Sequence, residues 1–150
     1  MSIRIVIDCR HIKDFGIGTY IRNLIRALAR MDRENHYILV AGSESIHDLA
    51  GLPANFQPAP YERSDSGILD NVAFPLFLRH FAADLYHVPH SLAPLAMPRP
   101  FVITVHDLSS ILFEQQQGTR RSLLLYQFRR GLGRAAKVIA VSKATRRDIE

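Results

Sequence analysis

Apolar residues along this chain change period from strand-like to helix-like and back, and that alternation narrows the fold more than any other feature. Ile3 to Ile7 is β-rich and continuously apolar apart from Arg4, ending at Asp8. A strand covered on both faces reads this way, because neither face alternates with solvent. Ile17, Tyr20, Ile21, Leu24, Ile25, Leu28 and Met31 then recur three and four apart, the apolar stripe of a helix, with Arg22, Arg26 and Arg30 on another face. Tyr37 to Ala41 reads as a second strand and Phe56 to Ala59 as a third. Residues 67–80 look helical, with Pro75 expected to break or kink the helix. Strands follow at Asp84 to His87, Phe101 to Val105 and Lys137 to Val141, with a basic amphipathic helix over 119–134 despite Gly131. Ser142 suits the N-cap of a last helix. The order β-α-β-β-α-β-β-α-β-α implies an α/β, Rossmann-like, mostly parallel sheet with helices on both faces. The stretch 42–66 is the least regular part.

With 150 residues, 47% of them hydrophobic, the chain suits one domain that can bury a core without staples. A single cysteine, Cys9, excludes an internal disulfide framework and a multi-cysteine zinc site. Beside Arg10 at a strand end, it reads best as a small buried residue. No apolar run exceeds seven residues, the length of Val72 to Leu78, which contains Pro75. A bilayer span needs about 20. The N-terminus lacks the charged-then-apolar plan of a signal peptide, so a soluble cytoplasmic domain is expected. The net charge of +5 is local: nine cations and no acid lie between Glu114 and Asp148, whereas the rest carries fourteen acids against ten cations. Such a block attracts phosphates, anionic lipid or a partner. It lacks the interleaved aromatics and motifs of a nucleic-acid binder, so no nucleic-acid partner is expected.

In an open parallel sheet, ligands bind beyond the carboxyl ends of the strands. The first such loop carries Gly16-Ile17-Gly18-Thr19 just before a helix. Two glycines admit close backbone approach, and a helix N-terminus offers N–H groups to a phosphate. A turn that serves packing only reads equally well. Ile21 stands where a dinucleotide fingerprint needs its third glycine, and no Lys-Ser/Thr follows, so NAD, FAD and a Walker loop are disfavoured. His106 and Asp107 follow the strand ending at Val105. Histidine there can bond a sugar hydroxyl, shift a proton or steady a developing charge. A satisfied histidine followed by a capping aspartate is the bland alternative. His87-Val-Pro-His90 has the spacing of a helical metal pair, but Pro89 after a strand argues against metal. His90 or Ser91 is expected to line the cleft, while His87 packs. No Gly-x-Ser-x-Gly elbow is present, which argues against an α/β-hydrolase.

Several segments together resemble the N-terminal domain of a GT-B glycosyltransferase of the retaining family-4 group. They are Ile3-Arg-Ile-Val-Ile-Asp8, then Gly16-Ile-Gly-Thr-Tyr-Ile-Arg-Asn-Leu-Ile-Arg-Ala-Leu28, then Asp84-Leu-Tyr-His-Val-Pro-His90. Val102-Ile-Thr-Val-His-Asp-Leu108 and Arg134-Ala-Ala-Lys-Val-Ile-Ala-Val-Ser142 follow, running into Arg146-Arg-Asp148. The resemblance implies sugar transfer from a nucleotide-diphosphate sugar to a glycan, lipid-linked or polysaccharide acceptor, with retention at the anomeric carbon. It implies catalytic roles for His106 and, in support, Asp107. Gly16 and Gly18 would meet the donor diphosphate, and His90, Ser91 and Ser142 would line the cleft or the acceptor site. No cofactor and no metal are implied, because cationic side chains and helix termini steady the leaving diphosphate.

Such enzymes pair two Rossmann-like domains across a cleft. Residues 1–150 are expected to be the acceptor-side domain, with the nucleotide-sugar-binding domain absent from this chain and the chain alone inactive. The abrupt stop at Glu150, in a helix of barely two turns, fits that reading. The basic block suits an acceptor held at an anionic membrane, hence a peripheral location at the inner face. Two other readings stand beside it. One is a non-catalytic Rossmann-like module that recruits a separate catalytic chain. The other is a different GT-B enzyme, such as a nucleotide-sugar epimerase.

Overall fold

The computed structural model describes residues 1–62, 67–108 and 118–150. Among them, six strands form one sheet: β1 (Arg4–Asp8), β2 (His36–Ala41), β3 (Phe56–Pro60), β4 (Leu85–Val88), β5 (Phe101–Val105) and β6 (Lys137–Ala140). Their order across the sheet is β3-β2-β1-β4-β5-β6. Each neighbouring pair is parallel, with Val6 opposite Ile38 and Tyr86, and Ile103 opposite Val88 and Val138. Helices α1 (Phe15–Met31), α2 (Asp70–Arg79), α3 (Thr119–Arg134) and α4 (Lys143–Ile149) accompany the strands, and a 3-10 helix spans Ser43–Leu49. The α/β, Rossmann-like reading therefore holds.

Burial explains why the inner strands read as continuous apolar runs. Ile7 and Leu39 point to one face, where Ile21 and Ile25 of α1 cover them. Val6, Ile38 and Val88 point to the other, against Phe74 and Leu78 of α2. Both sides of β1 and β2 are thus dry, so their residues have no polar face to alternate with. β3 is an edge strand, and Pro58 and Pro60, which have no N–H to donate, are tolerated there.

Two local outcomes refine the sequence expectation. Pro75 does not end its helix, which runs on to Arg79. Proline removes the N–H that would bond the carbonyl four residues back, that of Asn71. Here the Asn71 carbonyl accepts the amide of Ala96 at 3.3 Å instead, and its side-chain oxygen accepts that of Leu95 at 3.0 Å. The proline thus frees a carbonyl that ties α2 to the loop after β4. The 3-10 helix at 43–49, in the stretch that reads as irregular, buries Leu49 in the α1-side core.

Polar side chains on two helices hold loops in place. Arg134 donates to the carbonyls of Leu95 and Met97 at 2.6 and 3.0 Å. Gln127 donates to the carbonyl of Ala93 at 3.0 Å. Arg22 donates to the carbonyl of Ile12 at 2.5 Å. The loops after β1 and β4 are therefore pinned by helices, and these two loops carry the site.

Candidate functional site

The strand order reverses between β1 and β4: the chain runs outward to β3 on one side and to β6 on the other. At such a switch point the loops leaving the two central strands part and open a crevice. A cavity of about 750 Å³ lies there, lined by Arg10 and His11 after β1, by His90 and Ser91 after β4, and by the starts of α1, α2 and α3.

Its floor is a buried ionic cluster. Arg10 forks onto Asp8, with Nε on Oδ1 at 2.9 Å and a terminal nitrogen on Oδ2 at 2.8 Å. The other terminal nitrogen reaches Asp70, the first residue of α2, at 2.6 Å. Tyr61 donates its hydroxyl to the second oxygen of Asp70 at 2.6 Å. The guanidinium carbon sits 3.4 Å from the ring centre of Phe74, adding a cation–π contact. Burial alone would raise the Asp8 pKa, but the charge and hydrogen bonds of Arg10, with help from His90, hold it far below the usual carboxylate range. Burial would likewise lower the Arg10 pKa, and Asp8 and Asp70 more than reverse that.

Two histidines complete this region. His90 lines the cavity and donates from Nε2 to Asp8 Oδ2 at 3.2 Å, with its ring 4.5 Å from that of His11. Burial pushes its pKa down against the pull of Asp8, so the ring is neutral at neutral pH. His87 points into the sheet, where Nε2 meets Thr104 Oγ1 at 2.8 Å, and burial lowers its pKa to about 4. The two therefore serve different partners. Among the described residues no group of three or more His, Cys, Asp or Glu is arranged to hold a metal ion. Cys9 is fully buried, and burial together with the Asp8 charge pushes its thiol pKa up.

The two glycines separate sharply in role. Gly16 lies in the first turn of α1 with open space where a Cβ would be. Gly18 is buried, and a Cβ there would stand 2.2 Å from the Ile12 carbonyl oxygen, so this glycine lets α1 pack on the preceding loop. Gly18→Ala is expected to cost about 1–3 kcal/mol through that overlap. Gly16→Ala should leave stability unchanged or raise it by up to about 1 kcal/mol. Urea midpoints measured side by side check the contrast, and equal midpoints would refute it.

His106 extends from β5 beside the cavity, not in its lining. Its Nε2 donates to the Pro89 carbonyl at 2.9 Å, its own carbonyl accepts from Thr145 at 3.0 Å, and the Tyr20 ring meets it edge-on at 5.0 Å. These contacts set the ring's orientation, and among the described residues nothing hydrogen-bonds Nδ1. Asp107 is exposed, and its carbonyl accepts from the Ser91 hydroxyl at 3.5 Å. Ser142 caps α4, its oxygen accepting the Thr145 amide at 3.0 Å. The structure thus brings His90 and Ser91 into the cavity, sets His106 and Asp107 at its flank, and gives Ser142 a capping bond elsewhere.

The family model described as Glycosyltransferase Family 4 matches residues 16–150. The chain belongs to that family. No curated protein and no solved structure matches it significantly. In this glycosyltransferase domain Asp8 at the end of β1, His90 just after β4 and His106 just after β5 fall inside or beside one crevice. Sequence reading missed Arg10 and Asp70 as site residues, because sixty positions separate the two partners. The signal available was an Asp-x-Arg at the end of the first strand, an unusual place for two charges in a buried loop. Among the described residues no helix is long and apolar enough to cross a membrane.

Proposed function

We propose that this domain is the acceptor-side half of a retaining glycosyltransferase, which takes a sugar from a nucleotide-diphosphate donor and passes it to a glycan, lipid-linked or polysaccharide acceptor. The observation that carries the reading is the coincidence of the family match with a cavity at the strand-order reversal, flanked by a histidine at the end of β5. A second, nucleotide-binding domain facing this crevice supplies most of the donor contacts. The donor diphosphate lies near the first turn of α1, where Gly16 presents backbone without a side chain. His106 reaches the transferred sugar through Nδ1, since Nε2 is committed to Pro89. There it bonds a hydroxyl and steadies the charge that develops as the donor bond breaks. Asp107 supports it from the same turn, and the acceptor occupies the cavity over Arg10 and His90.

The test is transfer from a panel of nucleotide sugars by the chain together with its nucleotide-binding domain. His106→Ala should lower kcat by about a hundredfold or more, starting at the low end of the ~10²–10⁴-fold range of positioned acid–base groups, while the circular dichroism spectrum stays native. Unchanged turnover in that variant removes His106 from the site. Absence of any glycosyl transfer by the wild-type pair overturns the reading.

A further inference from the structure

The cavity floor contains an imidazole whose hydrogen bonding is only half complete. His90 is 8% exposed, and among the described residues nothing hydrogen-bonds its Nδ1. Buried polar atoms without a partner are rare, and each calls for an explanation. The partner of the other nitrogen is a carboxylate, Asp8, which can only accept, so Nε2 carries the proton and Nδ1 carries a lone pair. The ring is thus a fixed hydrogen-bond acceptor in the wall of a cavity.

Charge decides what can approach it. Arg10 looks like an anion site, yet its fork is occupied by Asp8 and its remaining terminal nitrogen by Asp70. The buried cluster therefore holds two carboxylates against one guanidinium, with His90 neutral. Elsewhere on the lining, Asp14 pairs with His11, and Arg120 lies exposed at the start of α3. An anion brought to the floor would meet a lone pair and a surplus of negative charge. Around this polar floor the walls are apolar, with Ile17, Leu92, Pro94 and Leu124 among them. Concave apolar walls with a few convergent polar groups are the usual make-up of a small-molecule site.

We propose that His90 Nδ1 accepts a hydrogen bond from an uncharged hydroxyl of the acceptor, so that the cavity floor over Arg10 takes a neutral sugar ring and not a phosphate. Asp8 is the positioning residue that holds the imidazole in this tautomer. Arg10 is a structural cation and not a ligand-binding one. The proposal rests on the acceptor-side reading of the cavity, but it is tested by binding alone, so its failure is distinguishable from a failure of transfer.

The experiment is nitrogen-15 NMR of the histidine-labelled chain at neutral pH, titrated with the methyl glycosides of glucose, galactose and mannose, and separately with inorganic phosphate. The His90 ring should show an unprotonated Nδ1 that shifts saturably with at least one glycoside and stays still with phosphate. His90→Gln keeps a donor nitrogen near the place of Nε2 and removes the Nδ1 acceptor. It should fold natively and weaken glycoside affinity about tenfold, the scale of one buried hydrogen bond with its desolvation cost. His90→Asn places an amide oxygen near the position of Nδ1 and should restore part of that loss. A protonated Nδ1, a shift caused by phosphate, glycosides that leave the resonance unmoved, or full affinity in His90→Gln each overturns the proposal.

Discussion

Arg10→Met is expected to destabilise the domain by about 3–5 kcal/mol, because it removes one partner of a buried ion cluster and strands the others. Asp8 and Asp70 would remain in the core, with side chains 1% and 6% exposed, and no cation between them. A whole domain is stable by only about 5–15 kcal/mol, so the variant should lose a large part of its margin. The cost comes chiefly from uncompensated carboxylates, not from lost packing on Phe74. Two controls separate these contributions. Arg10→Lys keeps the charge but cannot fork onto Asp8 and reach Asp70 together, so it should fall between wild type and Arg10→Met. Combining Arg10→Met with Asp8→Asn and Asp70→Asn removes the stranded charges and should recover part of the loss. Urea unfolding followed by circular dichroism measures all three. A loss under about 1 kcal/mol in Arg10→Met would place this cluster with weak surface pairs and refute the account.

That same cluster marks where sequence reading stops. Strands such as Phe101–Val105 and the helix Thr119–Arg134 were legible because their signal is local: an apolar run or an apolar period. His106 was legible because it follows a strand, and strand ends meet the crevice by topology. The Rossmann-like reading carries the order that puts β1 beside β4, but not where α2 starts relative to the loop after β1. Without that placement nothing joins Asp8 and Arg10 to Asp70, although all three are visible in the sequence. Gly16 and Gly18 show the same limit at closer range. Both look like loop glycines, yet both lie in helix α1, and only the approach of the Ile12 carbonyl tells the buried one from the open one. Nothing in the sequence pairs Arg22 or Arg134 with the loop carbonyls they bind, which lie ten and thirty-seven or more residues away.

Acid should unfold this domain in two stages, and the first belongs to histidine. In the folded state the His87 pKa is lowered from 6.5 to about 4 by burial, with the nearby Asp8 charge opposing and His90 assisting. Its folded value lies below its unfolded one, so the unfolded chain binds more protons between the two. Stability from this group is therefore complete above about pH 6.5 and is lost as pH falls toward 4. At 1.36 kcal/mol per unit, that difference amounts to about 3 kcal/mol. Burial lowers the His90 pKa as well, so it adds to the loss in the same direction. The second stage is Asp8, whose folded pKa lies far below 3.8: its contribution is intact above that value and disappears only at still lower pH. Urea midpoints taken at half-unit steps from pH 7.5 to 4 should fall steeply below pH 6.5. His87→Gln, which cannot take up the proton, should flatten that fall by removing the His87 share while leaving the His90 share. A midpoint that stays level from pH 7 to 4.5 would mean that these rings are already charged or solvated in the native domain. The buried, half-bonded imidazole at the cavity floor would then lose its physical basis too.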